Sequence, residues 1–174
     1  MRVLVAVASK HEATAEIAER IGDVIRELLH EEDPGSVVDV RPVGTVAELE
    51  EYDAVLVGSA IYLGRWLKPA RHFVHAHAKT LTHRPVWLFA SGPVGDPLLP
   101  EQESGDGPEL VALTGAREYR IFAGRLRPAD LGAVERSAVH AVHAAEGDFR
   151  DWPEITAWAG RIADDLLGSR AGAP

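Results

Sequence analysis

Cysteine is absent from all 174 residues, which excludes disulfides, thiolate nucleophiles and cysteine-held iron–sulfur clusters and suits a cytoplasmic protein, the location expected here. Basic residues are scarce beside acidic ones: 18 Lys+Arg stand against 27 Asp+Glu, a net charge of -9. A surface of that sign repels nucleic-acid backbones and anionic membranes, so nucleic acid is not an expected partner. No apolar run approaches the roughly 20 residues that a membrane-spanning helix needs, and no basic-then-apolar leader precedes the first apolar run, so stable membrane insertion is not expected either. The Walker lysine motif, the Gly-x-Gly-x-x-Gly fingerprint and the Gly-x-Ser-x-Gly elbow are missing too. Without them, ATP binding, Rossmann dinucleotide binding and serine hydrolysis lack support.

What is present is a 46% hydrophobic chain of a length that suits one sizeable core. A single domain is expected over residues 1–168, followed by a frayed tail at 169–174. Residues 2–8 form a valine-rich, nearly continuous apolar run, the pattern of a strand covered on both faces. Ile17, Ile21, Val24, Ile25 and Leu28 then recur at helical spacing opposite Glu16, Glu19, Arg20, Asp23 and Glu27. Asp33-Pro34-Gly35 breaks that helix. Further strands are predicted at 37–41, 53–58, 86–90 and 119–123. Helices are predicted at 47–51 (one short turn), at 66–81 and in two carboxy-terminal stretches, the last with Ile155, Trp158, Ala159, Ile162, Leu166 and Leu167 on one side. Trp87 and Trp158 read as core residues, Trp66 as a packing residue and Trp152 as an anchor of the last helix.

About five strands alternating with helices force parallel pairing with right-handed crossovers, an α/β three-layer sandwich whose ligands sit beyond the carboxyl ends of the strands. Three loops qualify. The first holds Ser9, Lys10, His11, Glu12, Ala13 and Thr14 at a helix amino terminus, where unpaired N–H groups and the helix dipole favour an anion. The second holds Ser59, Ala60, Ile61, Tyr62, Leu63 and Gly64, with Tyr62 and the following Trp66 able to lie along a flat ring. The third holds Ser91, Gly92, Pro93, Val94, Gly95 and Asp96, whose glycines permit close backbone approach. Together they describe a pocket for a ligand with a phosphate at one end and a planar heterocycle at the other. The connection over 91–116, rich in glycine, proline and acid, is expected to be a solvated loop or a lid.

The histidines suggest a metal centre at first sight, but His72 and His75 share a helix face, His77 points elsewhere, and no carboxylate joins them or His83 at ligand spacing. A solvated face is the expectation there, as for His140 and His143, and no metal site is assigned.

The segments "ASKHEAT", "YDAVLVGSAIYLGRWLKPAR", "RPVWLFASGPVGD", "FAGRL" and "GDFRDWPEITAWA", in that order along nearly the whole chain, resemble the flavodoxin-like family and, within it, flavodoxin-domain proteins related to HemG-type protoporphyrinogen oxidases. The resemblance implies a five-stranded parallel sheet and an FMN site: residues 9–14 around the phosphate, 59–64 beside the ring and 91–96 along its other edge. It also implies an oxidoreductase or electron carrier, with porphyrinogen- or quinone-type substrates as candidates and a binding or regulatory protein that has lost FMN as the alternative. Flavodoxin phosphate loops read Thr/Ser-x-Thr-Gly-x-Thr, and Glu12 stands here in the glycine position. A glutamate there must either force a different turn or point its carboxylate away from the anion. The net charge of -9 would lower the cofactor's potential and suit partners with basic docking faces.

Overall fold

The valine-rich run at the amino terminus becomes β1, Arg2–Ala8, and its burial on both faces explains why it lacks polar alternation. This computed structural model describes residues 1–92, 105–127, 129, 132 and 146–171. After β1 come α1 (Ala13–Glu32), β2 (Val37–Pro42), a 3-10 turn (Val43–Thr45), β3 (Ala54–Tyr62), β4 (Arg65–Trp66) and α2 (Lys68–Leu81). Then follow β5 (Val86–Ser91), α3 (Gly107–Thr114), β6 (Glu118–Phe122), β7 (Arg125–Leu126), β8 (Gly147–Asp148) and α4 (Trp152–Ala171). Strands β2-β1-β3-β5-β6 form one parallel sheet in that order, so the expected five-stranded parallel α/β sandwich is the architecture observed.

Alternate strand residues supply two cores, one on each face. Val3, Val5, Val7, Leu56, Phe89 and Phe122 pack beneath α1 and α4, where Ile17, Ile21, Ile25, Trp158 and Ile162 are buried. Leu4, Ala6, Val55, Val57, Leu88 and Ala90 pack beneath α2 and α3, with Phe73, Val74 and Leu110. Phe89, Phe122 and Trp158 meet with ring centroids 5.5–6.5 Å apart and tilted or edge-on planes, the geometry that aromatic quadrupoles favour. Gly58 leaves room for this cluster, since a Cβ at that position would lie 2.1 Å from the Phe89 ring.

Four expectations need correction. The turn of helix predicted at 47–51 is absent: beyond the 3-10 turn the chain runs irregularly and buries Val46, Leu49 and Tyr52 in the second core, while the Arg84 guanidinium donates to the Leu49 and Tyr52 carbonyls. The strand predicted at 53–58 continues to Tyr62 and folds back as β4, so Ser59, Ala60, Ile61 and Tyr62 are strand residues and Trp66 precedes α2. The connection over 91–116 is not all loop, for it contains α3, begun by Pro108 near its first position and stopped at Gly115 with φ 66°. The helix at the carboxyl end runs through Ala171, so Ser169, expected in a frayed tail, is helical and its hydroxyl donates to the Asp165 carbonyl at 2.7 Å. The first of the two predicted carboxy-terminal helical stretches, and His140 and His143, lie outside the described residues.

The β3–β4 hairpin turns through Leu63 at φ 51° and Gly64 at φ 73°, the two consecutive left-handed residues of a type I′ turn. Glycine takes that conformation freely, whereas leucine does not. Leu63 is also 84% exposed, so its side chain contributes little burial in return. Leu63→Asn should therefore stabilise the protein by about 0.5–1 kcal/mol, which for a chain of this size raises Tm by about 1–4 °C in a thermal melt.

Candidate functional site

Parallel pairing brings the carboxyl ends of β1, β3 and β5 to one edge: Ala8 pairs with Ser59, and Ala60 with Ser91. The three predicted loops therefore meet, joined by a buried contact between the hydroxyls of Thr14 and Ser91 at 2.8 Å. Gly92 closes the gap between the second and third loops, because a Cβ there would lie 2.8 Å from Ile61 Cβ. Pro93, Val94, Gly95 and Asp96 lie outside the described residues.

In the first loop the turn keeps the shape that a glycine would give it. Glu12 has φ 61° and ψ -23°. The Ala13 N–H donates back to the His11 carbonyl at 2.7 Å, and the Glu12 carbonyl accepts the Glu16 N–H at 2.9 Å, starting α1. Glu12 thus holds a left-handed backbone, and its side chain is exposed. Left-handed backbone at a residue with a Cβ costs about 1–2 kcal/mol, so a glycine at 12 relieves strain. Ser9, at the start of this loop, carries a buried hydroxyl with no hydrogen-bond partner. An orphaned buried hydroxyl costs about 1–3 kcal/mol, and an anion seated in the turn would satisfy it.

Lys10 and Tyr62 bring the first and second loops together, with the ammonium 4.1 Å from the ring centroid. Tyr62 is 39% exposed at the mouth. Ser59, by contrast, is fully buried; its hydroxyl accepts the Leu67 N–H at 2.9 Å and donates to the Ala60 carbonyl at 2.8 Å, so it supports the hairpin from beneath. Trp66 is buried, and its Nε1 donates to the Tyr119 hydroxyl at 3.1 Å.

Two groups of residues that sequence reasoning did not single out hold these loops. Asp106, just before α3, is buried and accepts from Arg65 Nη2 at 2.7 Å, Arg65 Nε at 3.1 Å and the Trp66 N–H at 2.8 Å. The Gly105 N–H donates to the Gly64 carbonyl at 3.3 Å. The far end of the 91–116 connection is thus pinned to the hairpin. The second group is Glu16, Arg125, Asp148 and Arg150 behind the first loop. Their signal lay in "FAGRL" and "GDFRDWPEITAWA", which mark the family without showing what each residue touches.

Among the described residues no group of three or more His, Asp or Glu side chains is placed to hold a metal ion. His72 and His75 are exposed on α2, and His75 lies 3.6 Å from Glu109. No described helix is long and apolar enough to cross a membrane.

Burial alone would raise the Asp106 carboxyl, but the hydrogen bonds from Arg65 and the Trp66 N–H, with the charges of Arg65 and Arg71, outweigh it and hold it below the ordinary value. A carboxyl depressed in the folded state stabilises the protein above its unfolded pKa, and that contribution is lost as pH falls through the lower folded value. Asp106→Ala should lower stability by about 1–3 kcal/mol at neutral pH, because it strands the Trp66 N–H. The deficit relative to the parent should shrink in urea melts taken progressively below about pH 4, the ordinary range of an aspartate.

The chain matches the flavodoxin domain family over residues 4–152. No curated protein sequence matches it. Among solved structures it is similar to a flavodoxin from the domain Archaea, with a TM-score of 0.65 and 18% identity, covering 96% of this chain and 99% of that one. It is similar to the Streptococcus pneumonia TIGR4 flavodoxin, with a TM-score of 0.61 and 18% identity over 97% and 99% of the two chains. It also resembles part of the rubredoxin oxygen:oxidoreductase of Desulfovibrio gigas, with a TM-score of 0.66 and 14% identity, covering 99% of this chain but 37% of that one. At these identities the structures establish the fold, and the family match over most of the length establishes kinship: the chain belongs to the flavodoxin domain family.

Proposed function

We propose that the protein binds FMN at the carboxyl edge of its sheet and transfers electrons through it. The observation that carries this reading is the first loop: a left-handed residue before the amino terminus of α1, with the buried, partnerless hydroxyl of Ser9 beside it. Those features fit a phosphate. FMN supplies the redox chemistry, and the chain's work is to hold it, exclude water from one face and set the local charge.

Ser9 to Thr14 would surround the phosphate, with the hydroxyl of Ser9 and the loop amides as donors. Tyr62 and the hairpin from Ser59 to Gly64 would flank the ring, and Ser91 and Gly92 would close its other edge together with Pro93, Val94, Gly95 and Asp96. The Lys10 ammonium, 4.1 Å from the Tyr62 ring centroid, would bring positive charge to the same mouth. As to substrate, the kinship suggested by the five sequence segments favours a HemG-like oxidoreductase acting on a porphyrinogen- or quinone-type compound at the exposed ring edge, in a soluble cytoplasmic protein. Glu12 in the glycine position favours a second reading, a flavodoxin-fold binding or regulatory protein without FMN.

Titration of the purified protein with FMN, followed by flavin fluorescence quenching, separates the two. Saturable quenching supports the electron-transfer reading, and no binding at high micromolar FMN supports the other. Glu12→Gly should tighten FMN binding by about tenfold or more if the carboxylate stays about 6 Å from the phosphate, where at an effective dielectric of about 20 the repulsion is on the order of 2–3 kcal/mol before solvent screening. Unchanged or weaker binding by the variant would mean that Glu12 does not oppose the phosphate. Tyr62→Ala should weaken FMN binding by about 0.5–1.5 kcal/mol if its ring stacks on the flavin.

A further inference from the structure

Behind the first loop, two arginines that are nearly withdrawn from solvent converge on one carboxylate. The Arg125 and Arg150 side chains are 5% and 3% exposed. Arg125 Nη1 donates to both Glu16 oxygens at 2.7 and 2.8 Å, and Arg150 Nη1 donates to Glu16 Oε2 at 2.7 Å. Arg150 is itself gripped by Asp148, through Nε at 2.8 Å and Nη2 at 2.6 Å, and lies 4.5 Å over the Trp152 ring. The two arginines arrive side by side because β7 and β8 pair antiparallel, Arg125 opposite Asp148, and because the Phe149 N–H donates to the Gly124 carbonyl at 3.1 Å.

Each guanidinium also reaches the loop. Arg125 Nη2 lies 3.4 Å from the His11 carbonyl oxygen, and Arg150 Nη1 lies 3.3 Å from that of Ala13. These two carbonyls bracket Glu12, the residue held at φ 61° without glycine's freedom. A strained backbone persists only where its surroundings over-determine it, and a turn that receives an anion must keep its carbonyls turned away from it. The arginines meet both needs. They also neutralise Glu16, which sits in the first turn of α1 and would otherwise oppose an anion there.

We propose that Arg125 and Arg150, joined through Glu16, clamp the turn at residues 11–13 in its left-handed, phosphate-receiving shape and so replace the glycine that such a turn otherwise needs at position 12. This inference rests on the FMN reading above. The two arginines are positioning residues: they hold the loop, and the loop holds the phosphate.

The test compares FMN with riboflavin, which carries the same ring without the phosphate, in fluorescence titrations of the parent, Arg150→Lys, Glu12→Gly and the double variant. Lysine keeps the charge but cannot reach Ala13, Glu16 and Asp148 together. Arg150→Lys should therefore weaken FMN binding by about tenfold or more, the scale of a lost charged hydrogen bond, and riboflavin binding by less than about twofold. With glycine at 12 the turn no longer needs the clamp, so in the Glu12→Gly background the same substitution should weaken FMN binding by no more than about threefold. Should Arg150→Lys fail to fold, Asp148→Asn, on the more exposed side of the pair, loosens the same guanidinium and should shift the FMN-to-riboflavin affinity ratio in the same direction. An unchanged ratio, or a loss equally large in the glycine background, overturns the clamp while leaving FMN binding intact. A parent protein that binds neither flavin overturns the FMN reading, and the clamp with it.

Discussion

Ala8 opposite Ser59 and Ala60 opposite Ser91 are pairings of a parallel ladder, and a parallel ladder delivers every strand's carboxyl end to the same edge. A slip of one residue in either pairing would turn the alternating faces of a strand over and send each residue into the opposite core, where its shape does not fit. The two-sided burial of β1, β3 and β5 therefore fixes the register, and the register sets the distance between the loops. The hydroxyl contact between Thr14 and Ser91 and the tight approach of Gly92 to Ile61 follow from it. Neither could be made by loops hung on a sheet free to slide.

The mouth of the sheet is held in two different ways. On the hairpin side a single buried carboxylate, Asp106, gathers two donor groups from adjacent residues, Arg65 and Trp66. On the α1 side, four charged groups from three segments of chain cancel one another, Glu16 and Asp148 against Arg125 and Arg150. The first arrangement fixes the position of a loop with one group. The second leaves an electrically neutral cluster behind a turn whose function, in the reading given above, is to receive a negative ligand. In this way Glu16 and Asp148, in a chain carrying -9 overall, are kept from acting on that turn at short range.

Which parts of this were legible beforehand follows from the range of the interaction responsible. The strands and α1 could be read because burial against a neighbouring layer imprints a period on local sequence, as in Ile17, Ile21 and Ile25. Helix α3 could not, because its few apolar residues follow a stretch of glycine, proline and acid whose composition reads as loop, and Leu110 gains its burial from the second core. The hairpin was hidden because two residues of β4 carry no period of their own. Glu12 shows both sides of this: its charge is written in the sequence, whereas its left-handed backbone depends on Arg125 and Arg150, more than a hundred residues further on. Contacts of that separation leave no local pattern, and only the segments around them, quoted for their family likeness, hinted that something lay there.

The aromatic cluster of Phe89, Phe122 and Trp158 has a consequence for how the chain is made. Trp158 belongs to α4, the last described element, and with Ile155, Ile162 and Leu166 it covers the sheet face that α1 leaves open. Until those residues leave the ribosome, strands already synthesised must wait with that face uncovered, apolar and available to other chains. Synthesis at about 5–20 residues per second makes the interval from Phe122 to Leu166 about 2–9 seconds. Helix–strand units that local contacts could assemble early thus depend for their final shelter on the most distal one. The protein's exposure to aggregation and chaperone binding should be concentrated in that window rather than in the finished fold.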